Sequence, residues 1–213
     1  RHPAVQRSSY PDALMIITDI SKTDKRYDLI YTDPPWPQRK GHIRKCRPNQ
    51  GRQLDYPTMA VGDCFKTQDP FFERTNEKHN IFIWTIDKFL LETSLQMEKR
   101  GYKLHARFIW DKENGIAPAF TVRFSHEYLL WFYKPNKILM PRRECFGKYT
   151  TVMREPASYH SRKSVCAYKM LEDMFDGAER LELFARQQRE GWDCWGNEIG
   201  GVDAAGISFS RLL

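Results

Sequence analysis

Several short runs in this 213-residue chain are apolar almost without polar alternation: Tyr27-Asp-Leu-Ile-Tyr-Thr32, Ile81-Phe-Ile-Trp-Thr85, Glu127-Tyr-Leu-Leu-Trp-Phe-Tyr133 and Leu181-Glu-Leu-Phe184. A strand with one wet face alternates; a run that is apolar on both faces must be covered on both, as in the parallel sheet of an α/β protein. Leu14 to Thr18, closed by Asp19, and Arg107 to Trp110 read as further strands. Asp87 to Arg100 has the pattern of a helix, with Asp87 as its cap, Phe89, Leu90, Leu91, Leu95 and Met97 as apolar groups, and Gly101 as the stop. Ser164 to Asp176 reads as a second helix, capped by Ser164 and closed by Gly177. The expected fold is one α/β domain over residues 14–213, a single mostly parallel sheet with helices on both faces, preceded by an arm over residues 1–13.

The chain is long enough for one domain with a real core. It carries no run of about eighteen apolar residues, so no membrane span is expected, and its first residues do not read as a signal peptide. Five cysteines without a CxxC pair give no case for zinc or another metal and suit a reducing, intracellular setting, cytoplasmic in a bacterium or phage and nuclear in a eukaryote. The formal net charge of +7 suits a polyanionic partner. Residues 37–58 carry Arg39, Lys40, Arg44, Lys45, Arg47 and Arg52 before the first acid, Asp55. A long irregular stretch of this kind in a compact domain is usually functional, and Arg39, Lys40, Arg44 and Lys45 are expected to meet phosphates.

In an open α/β sheet, ligands bind outside the carboxyl ends of the strands. There the run Tyr27–Thr32 leads into Asp33-Pro34-Pro35-Trp36. Two prolines restrict the backbone and keep carbonyl acceptors without N–H groups of their own. The Asp33 carboxylate and the Pro34 carbonyl are then suited to accept hydrogen bonds from an exocyclic amine, and Trp36 offers a plane on which a base could stack. An aromatic amine is a poor nucleophile until its lone pair is freed from the ring. Two acceptors on its N–H groups favour that state, so the pattern suits a methyltransferase acting on such an amine. A nicotinamide dehydrogenase would require a Gly-x-Gly-x-x-Gly turn, which the chain lacks.

The tetrad resembles the signature of DPPW-type amino methyltransferases, the group that includes the catalytic subunit making N6-methyladenosine in eukaryotic messenger RNA and many bacterial and phage members. The resemblance runs over roughly residues 14–201. It implies a Rossmann-like fold, S-adenosyl-L-methionine as cofactor and the adenine amino group of nucleic acid as target, with DNA preferred because the chain has no RNA-binding appendage. RNA is the alternative polymer; a catalytically inactive nucleic-acid-binding subunit is the alternative role. A homodimer, or a heterodimer with a related subunit, is in keeping with the family. Leu54-Asp-Tyr-Pro-Thr-Met59 resembles the family's post-catalytic stretch and implies that Tyr56 borders the base. Trp84, at the end of Phe82-Ile-Trp84, would face the pocket, and Glu127 in His126-Glu127-Tyr128 would touch the substrate or its pocket. Tyr159-His-Ser-Arg-Lys163 resembles the segment whose lysine contacts cofactor or base, with Ser164 standing where proline is usual. The resemblance assigns the cofactor to Asp19, Ile20, Asp33, Lys163, Arg186 in Glu182-Leu-Phe-Ala-Arg186, Asn197 and Glu198, with Gln187 or Gln188 as stand-ins where the family has Pro-His-Asn.

Overall fold

The computed structural model describes residues 16–37, 58–113, 118–119, 122–157, 163–196 and 199. Strand β1 (Tyr27–Thr32) is followed by helix α1 (Val61–Phe72), β2 (Thr75–Thr85), α2 (Leu90–Lys99), β3 (Lys103–Asp111), the short pair β4 (Pro118–Ala119) and β5 (Val122–Arg123), β6 (His126–Tyr133), β7 (Val152–Arg154), α3 (Val165–Met174), β8 (Arg180–Leu183) and β9 (Asp193–Trp195). Among the described residues, seven strands form one sheet in the order β7-β3-β6-β2-β1-β8-β9. All run the same way except β6, which is antiparallel to both β2 and β3.

The apolar runs are covered on both sides, as expected. On one face, Ile30, Ile81, Ile83, Leu130 and Leu181 pack with Phe65 of α1 and Met97 of α2. On the other, Leu29, Tyr31, Phe82, Trp84, Leu129 and Trp131 pack with Ala167, Met170, Leu171 and Met174 of α3.

Helix α1 carries its buried residues at positions 61, 64, 65, 68, 71 and 72, a helical period that Pro70 and the polar residues between obscure in the sequence. Its buried Gln68 fixes it to the end of β1: the Thr32 hydroxyl donates to Gln68 Oε1 at 2.8 Å, and Gln68 Nε2 donates to the Cys64 carbonyl at 2.9 Å. Thr32 immediately precedes Asp33, so this contact helps set where the acid emerges.

Three expectations are corrected. The strand anticipated over Leu14–Thr18 is, in its described part, a single parallel bridge between Ile16 and Cys194, because Asp19 turns the chain into a 3-10 turn over Ile20–Lys22. Asp87 does not cap α2. The chain enters that helix through a 3-10 turn over Asp87–Phe89 with no side-chain cap. On α2 itself Leu91 and Leu95 are exposed, and Thr93 and Met97 make the buried contacts. Ser164, by contrast, does cap α3, accepting from the Ala167 amide at 3.4 Å. Gly101 and Gly177 adopt the left-handed conformation that ends their helices.

Gly196 is required by close approach. A Cβ there would lie 2.2 Å from the Ala185 carbonyl oxygen and 2.7 Å from the Ala185 nitrogen, both backbone atoms that cannot swing aside. The Gly196→Ala variant is therefore expected to lose about 1–3 kcal/mol, read as a lower midpoint in thermal unfolding; an unchanged midpoint would refute the close contact between the β8 and β9 exits.

Candidate active site

The carboxyl ends of β1, β2 and β8 open on one edge of the sheet. Asp33 leaves β1 there, Trp84 stands on β2, and Arg186 follows β8. Because β6 runs in reverse, its first residues lie at this same edge, and Glu127 pairs in register with Trp110 near the end of β3. Asp33 and Glu127 are thus separated by β2, on the order of 10 Å by strand spacing.

Lys163 spans that gap. Its Nζ lies 3.0 Å from Asp33 Oδ1 and 2.7 Å from Glu127 Oε2, and sits 5.4 Å from the centre of the Trp84 ring below. Lys112, just past β3, binds the other oxygen of Glu127 and lies 5.0 Å from the centre of the Trp110 ring. Negative and positive groups therefore alternate along the edge, Asp33, Lys163, Glu127, Lys112, with two indoles as a floor.

The titration of these groups follows from their neighbours. Burial alone would raise Glu127, but Lys163 and Lys112 outweigh it and hold the carboxyl at about 2. Burial opposes charge on Lys163 as well, yet Asp33 and Glu127 raise its pKa above the ordinary lysine value. Asp33 moves the other way: burial and the charge of Glu127 raise its carboxyl, against the pull of Lys163 and Arg186. Its side chain retains 21% of its exposure, so the carboxylate still reaches the crevice.

The tetrad's backbone is tied at two points. The Trp36 amide donates to the Pro34 carbonyl at 2.8 Å, and the Met59 amide donates to the Pro35 carbonyl at 2.9 Å. The Pro34 oxygen keeps a second lone pair. The second bond brings the chain beyond residue 57 back to the tetrad, so the segment carrying the basic residues starts and finishes beside Asp33.

Two aromatic expectations are corrected. Trp36 is no open platform for a base: it is 4% exposed, stacked on Phe89 with ring centres 5.5 Å apart, and its indole N–H donates to the Trp84 carbonyl at 3.1 Å. The γ-turn closed by the bond from the Trp36 amide to the Pro34 carbonyl redirects the chain after Asp33, and Trp36 packs into the apolar layer under α1 and α2. Trp84 does not line the crevice openly either; it is fully buried, donates to the Tyr31 hydroxyl and carries Lys163 above it.

Of the residues expected to hold a cofactor, Asp19 lies just past the chain segment bridged to β9. Its carboxylate accepts from the Ser21 amide at 2.9 Å and hydroxyl at 2.7 Å. Ile20 packs partly buried against the core. Arg186 is half-buried, close enough to act on the charge of Asp33, and Gln187 and Gln188 are exposed. Arg39, Lys40, Arg44, Lys45, Tyr56, Asn197 and Glu198 lie outside the described residues.

Two charged groups escaped sequence reasoning. Lys112 carries no motif. Glu182 had a signal, a carboxylate inside an apolar strand, but the resemblance assigns it no role. It is 9% exposed and accepts from the Tyr168 hydroxyl at 2.8 Å. Burial and the charge of Asp33 push its carboxyl up to about 7, against the Tyr168 bond.

The Glu127→Gln variant is expected to leave Lys112 and Lys163 under-neutralised and to lose about 3 kcal/mol at neutral pH. Since the Glu127 pKa is depressed on folding, its contribution is complete above the ordinary glutamate range and disappears as pH falls toward about 2. Denaturant unfolding of both proteins from pH 7 downward should show the two stabilities converging in acid; a constant difference would contradict the pairing.

The chain matches the MT-A70 family over residues 27–198. It is 28% identical over 191 residues to the type II methyltransferase M.MunI of Mycoplasma sp, covering 82% of this chain and 78% of that protein. It is 28% identical over 211 residues to the human N(6)-adenine-specific methyltransferase METTL4, covering 89% of this chain and 42% of that protein. With the N(6)-adenosine-methyltransferase MT-A70-like protein of Arabidopsis thaliana it shares 27% identity over 185 residues, 83% of this chain and 24% of the plant protein. The chain thus spans most of the mycoplasma protein and less than half of the other two. Among the described residues no helix is long and apolar enough to cross a membrane. The match covers well over half of the sequence and the charged edge at Asp33: the chain belongs to the MT-A70 family and is a methyltransferase domain.

Proposed function

We propose that this domain methylates the exocyclic N6 amine of adenine in DNA, with S-adenosyl-L-methionine as donor. The observation that carries the reading is the Asp33 carboxylate, held at the crevice by Lys163 and still partly open. Asp33 and the free lone pair of Pro34 would accept the two N–H groups of the amine and turn its lone pair out of conjugation. Alignment of that nitrogen contributes up to roughly 7–11 kcal/mol in well-oriented systems. Because burial raises the Asp33 pKa, its carboxylate is also a stronger acceptor for the proton that the alkylated nitrogen must release.

The donor set fits a cationic cofactor. Asp33 and Glu182 are both carboxyls raised above their ordinary values by burial, and the charge of Asp33 raises Glu182 further. A positively charged ligand would relieve that strain, while Arg186 suits hydroxyl or carboxylate oxygens. Asp33, Lys163, Glu182 and Arg186 are the described residues that would hold it; Asn197 and Glu198 are assigned by resemblance. When bound, S-adenosyl-L-methionine supplies an activated methyl on a sulfonium. The adenine target is supported by the relation to an N(6)-adenine-specific methyltransferase, and a polyanionic substrate by the net charge of +7. The basic residues over 38–52 would neutralise phosphates, so binding should weaken steeply with salt.

Labelled S-adenosyl-L-methionine offered with unmethylated DNA and RNA oligomers tests this. Label is expected on adenine N6 of DNA and is expected to fall by about 10²–10³-fold in Asp33→Ala. Equal transfer by both proteins removes Asp33 from the chemistry, and label confined to RNA assigns the other polymer. The acidic limb of kcat against pH should lie above the ordinary aspartate value, since the charged form of Asp33 predominates only above its raised pKa. Donor affinity, measured by calorimetry, should strengthen as pH rises through about 7 with the ionisation of Glu182, and should lose that dependence in Glu182→Gln.

A further inference from the structure

The charged edge ends in a residue that no motif marks. Lys112 is 9% exposed, its ammonium on Glu127 and over Trp110. Its backbone is pinned on both sides: the amide donates to the Ser125 carbonyl at 2.8 Å, and its carbonyl accepts from the Ala157 amide at 3.3 Å. A buried ammonium is costly unless paired. Its place at the far end of the row gives this one a consequence for Asp33.

We propose that Lys112 is a positioning residue for methyl transfer: by occupying one oxygen of Glu127, it leaves the Lys163 ammonium available to Asp33. The inference rests on the reading of Asp33 as the amine acceptor. With every group ionised the row sums to zero, two carboxylates against two ammoniums. Among the described residues, Lys112 and Lys163 are the cations on the Glu127 carboxylate. Without Lys112, both carboxylates compete for Lys163. The ammonium is drawn toward Glu127, and Asp33 keeps its proton to higher pH.

The groups facing Asp33 are Lys163 ahead of α3, Glu127 on β6, Glu182 on β8, Arg186 after it and Tyr31 on β1. Near Glu127, His126 is engaged with the Tyr128 hydroxyl at 2.9 Å, and beside Lys112, Asp111 accepts from the Glu113 amide at 3.0 Å. None of these takes the place of the Lys112 charge on Glu127.

The test compares wild type, Lys112→Met, Lys112→Arg, Glu127→Gln and the Lys112→Met/Glu127→Gln double variant, each measured for kcat and KM against pH with a DNA substrate and for its thermal midpoint. Lys112→Met is expected to move the acidic limb of kcat up by about one pH unit and to lower kcat at neutral pH, with KM for DNA unchanged. Lys112→Arg should restore the wild-type profile. On the Glu127→Gln background, removal of Lys112 should cause no further loss, because the path from Lys112 to Asp33 is already cut. The double variant restores charge balance, so this comparison stands even if Lys112→Met alone folds poorly. A wild-type pH profile in Lys112→Met, a change confined to KM, or a loss that adds to Glu127→Gln would each overturn the proposal. Failure of the wild-type protein to methylate adenine would instead overturn the assigned reaction, so the two failures are distinguishable.

Discussion

The site depends on one ammonium shared by two carboxylates on strands that do not touch. Lys163 reaches Asp33 on β1 and Glu127 on β6 across the intervening β2, with the Trp84 ring beneath it. An unpaired charge in this setting would either change its protonation or open the structure to water. The shared arrangement keeps all three groups charged. It is held from the helix side: Ser164 caps α3, and Glu155, just past β7, accepts both the Ser164 hydroxyl and the Cys166 amide. The start of α3, and with it Lys163, is thereby tied to the far edge of the sheet.

The reversed strand β6 makes this geometry possible. In a wholly parallel sheet a glutamate at the beginning of a strand would lie at the edge away from the site. Reversal brings Glu127 to the carboxyl ends of β1 and β2, level with the exit of β3 where Lys112 stands. The same edge collects Glu182 from β8, whose carboxyl is held near neutrality by burial and by Asp33. The crevice therefore holds two carboxyls, Asp33 and Glu182, that burial raises, an electrostatic setting in which a cationic methyl donor and a weakly basic amine can be brought together.

The apolar runs made the sheet legible, because residues covered on both faces need no alternation and so identify a buried strand. Gly101, Gly177 and Ser164 marked helix ends by local chemistry alone. What escaped was set by tertiary contact. The direction of β6 is decided by its neighbours and not by its composition. Trp36 and Trp84 looked like pocket walls because aromatic residues near a motif serve a core and a ligand equally well, and burial decided for the core. Helix α1 was hidden by Pro70, although its buried positions repeat with helical spacing. Lys112 could not be found from sequence at all, since its role comes from the register that sets β3 against Glu127.

The central claim is that Asp33 stays a carboxylate at the crevice because Lys163 holds it there against burial. The direct measurement is a carbon-13 NMR titration of the Asp33 carboxyl in the wild-type protein and in Lys163→Met. A midpoint above the ordinary aspartate value in wild type, moving higher in the variant, is the predicted result. A midpoint at or below the ordinary value, unmoved by loss of Lys163, would contradict it.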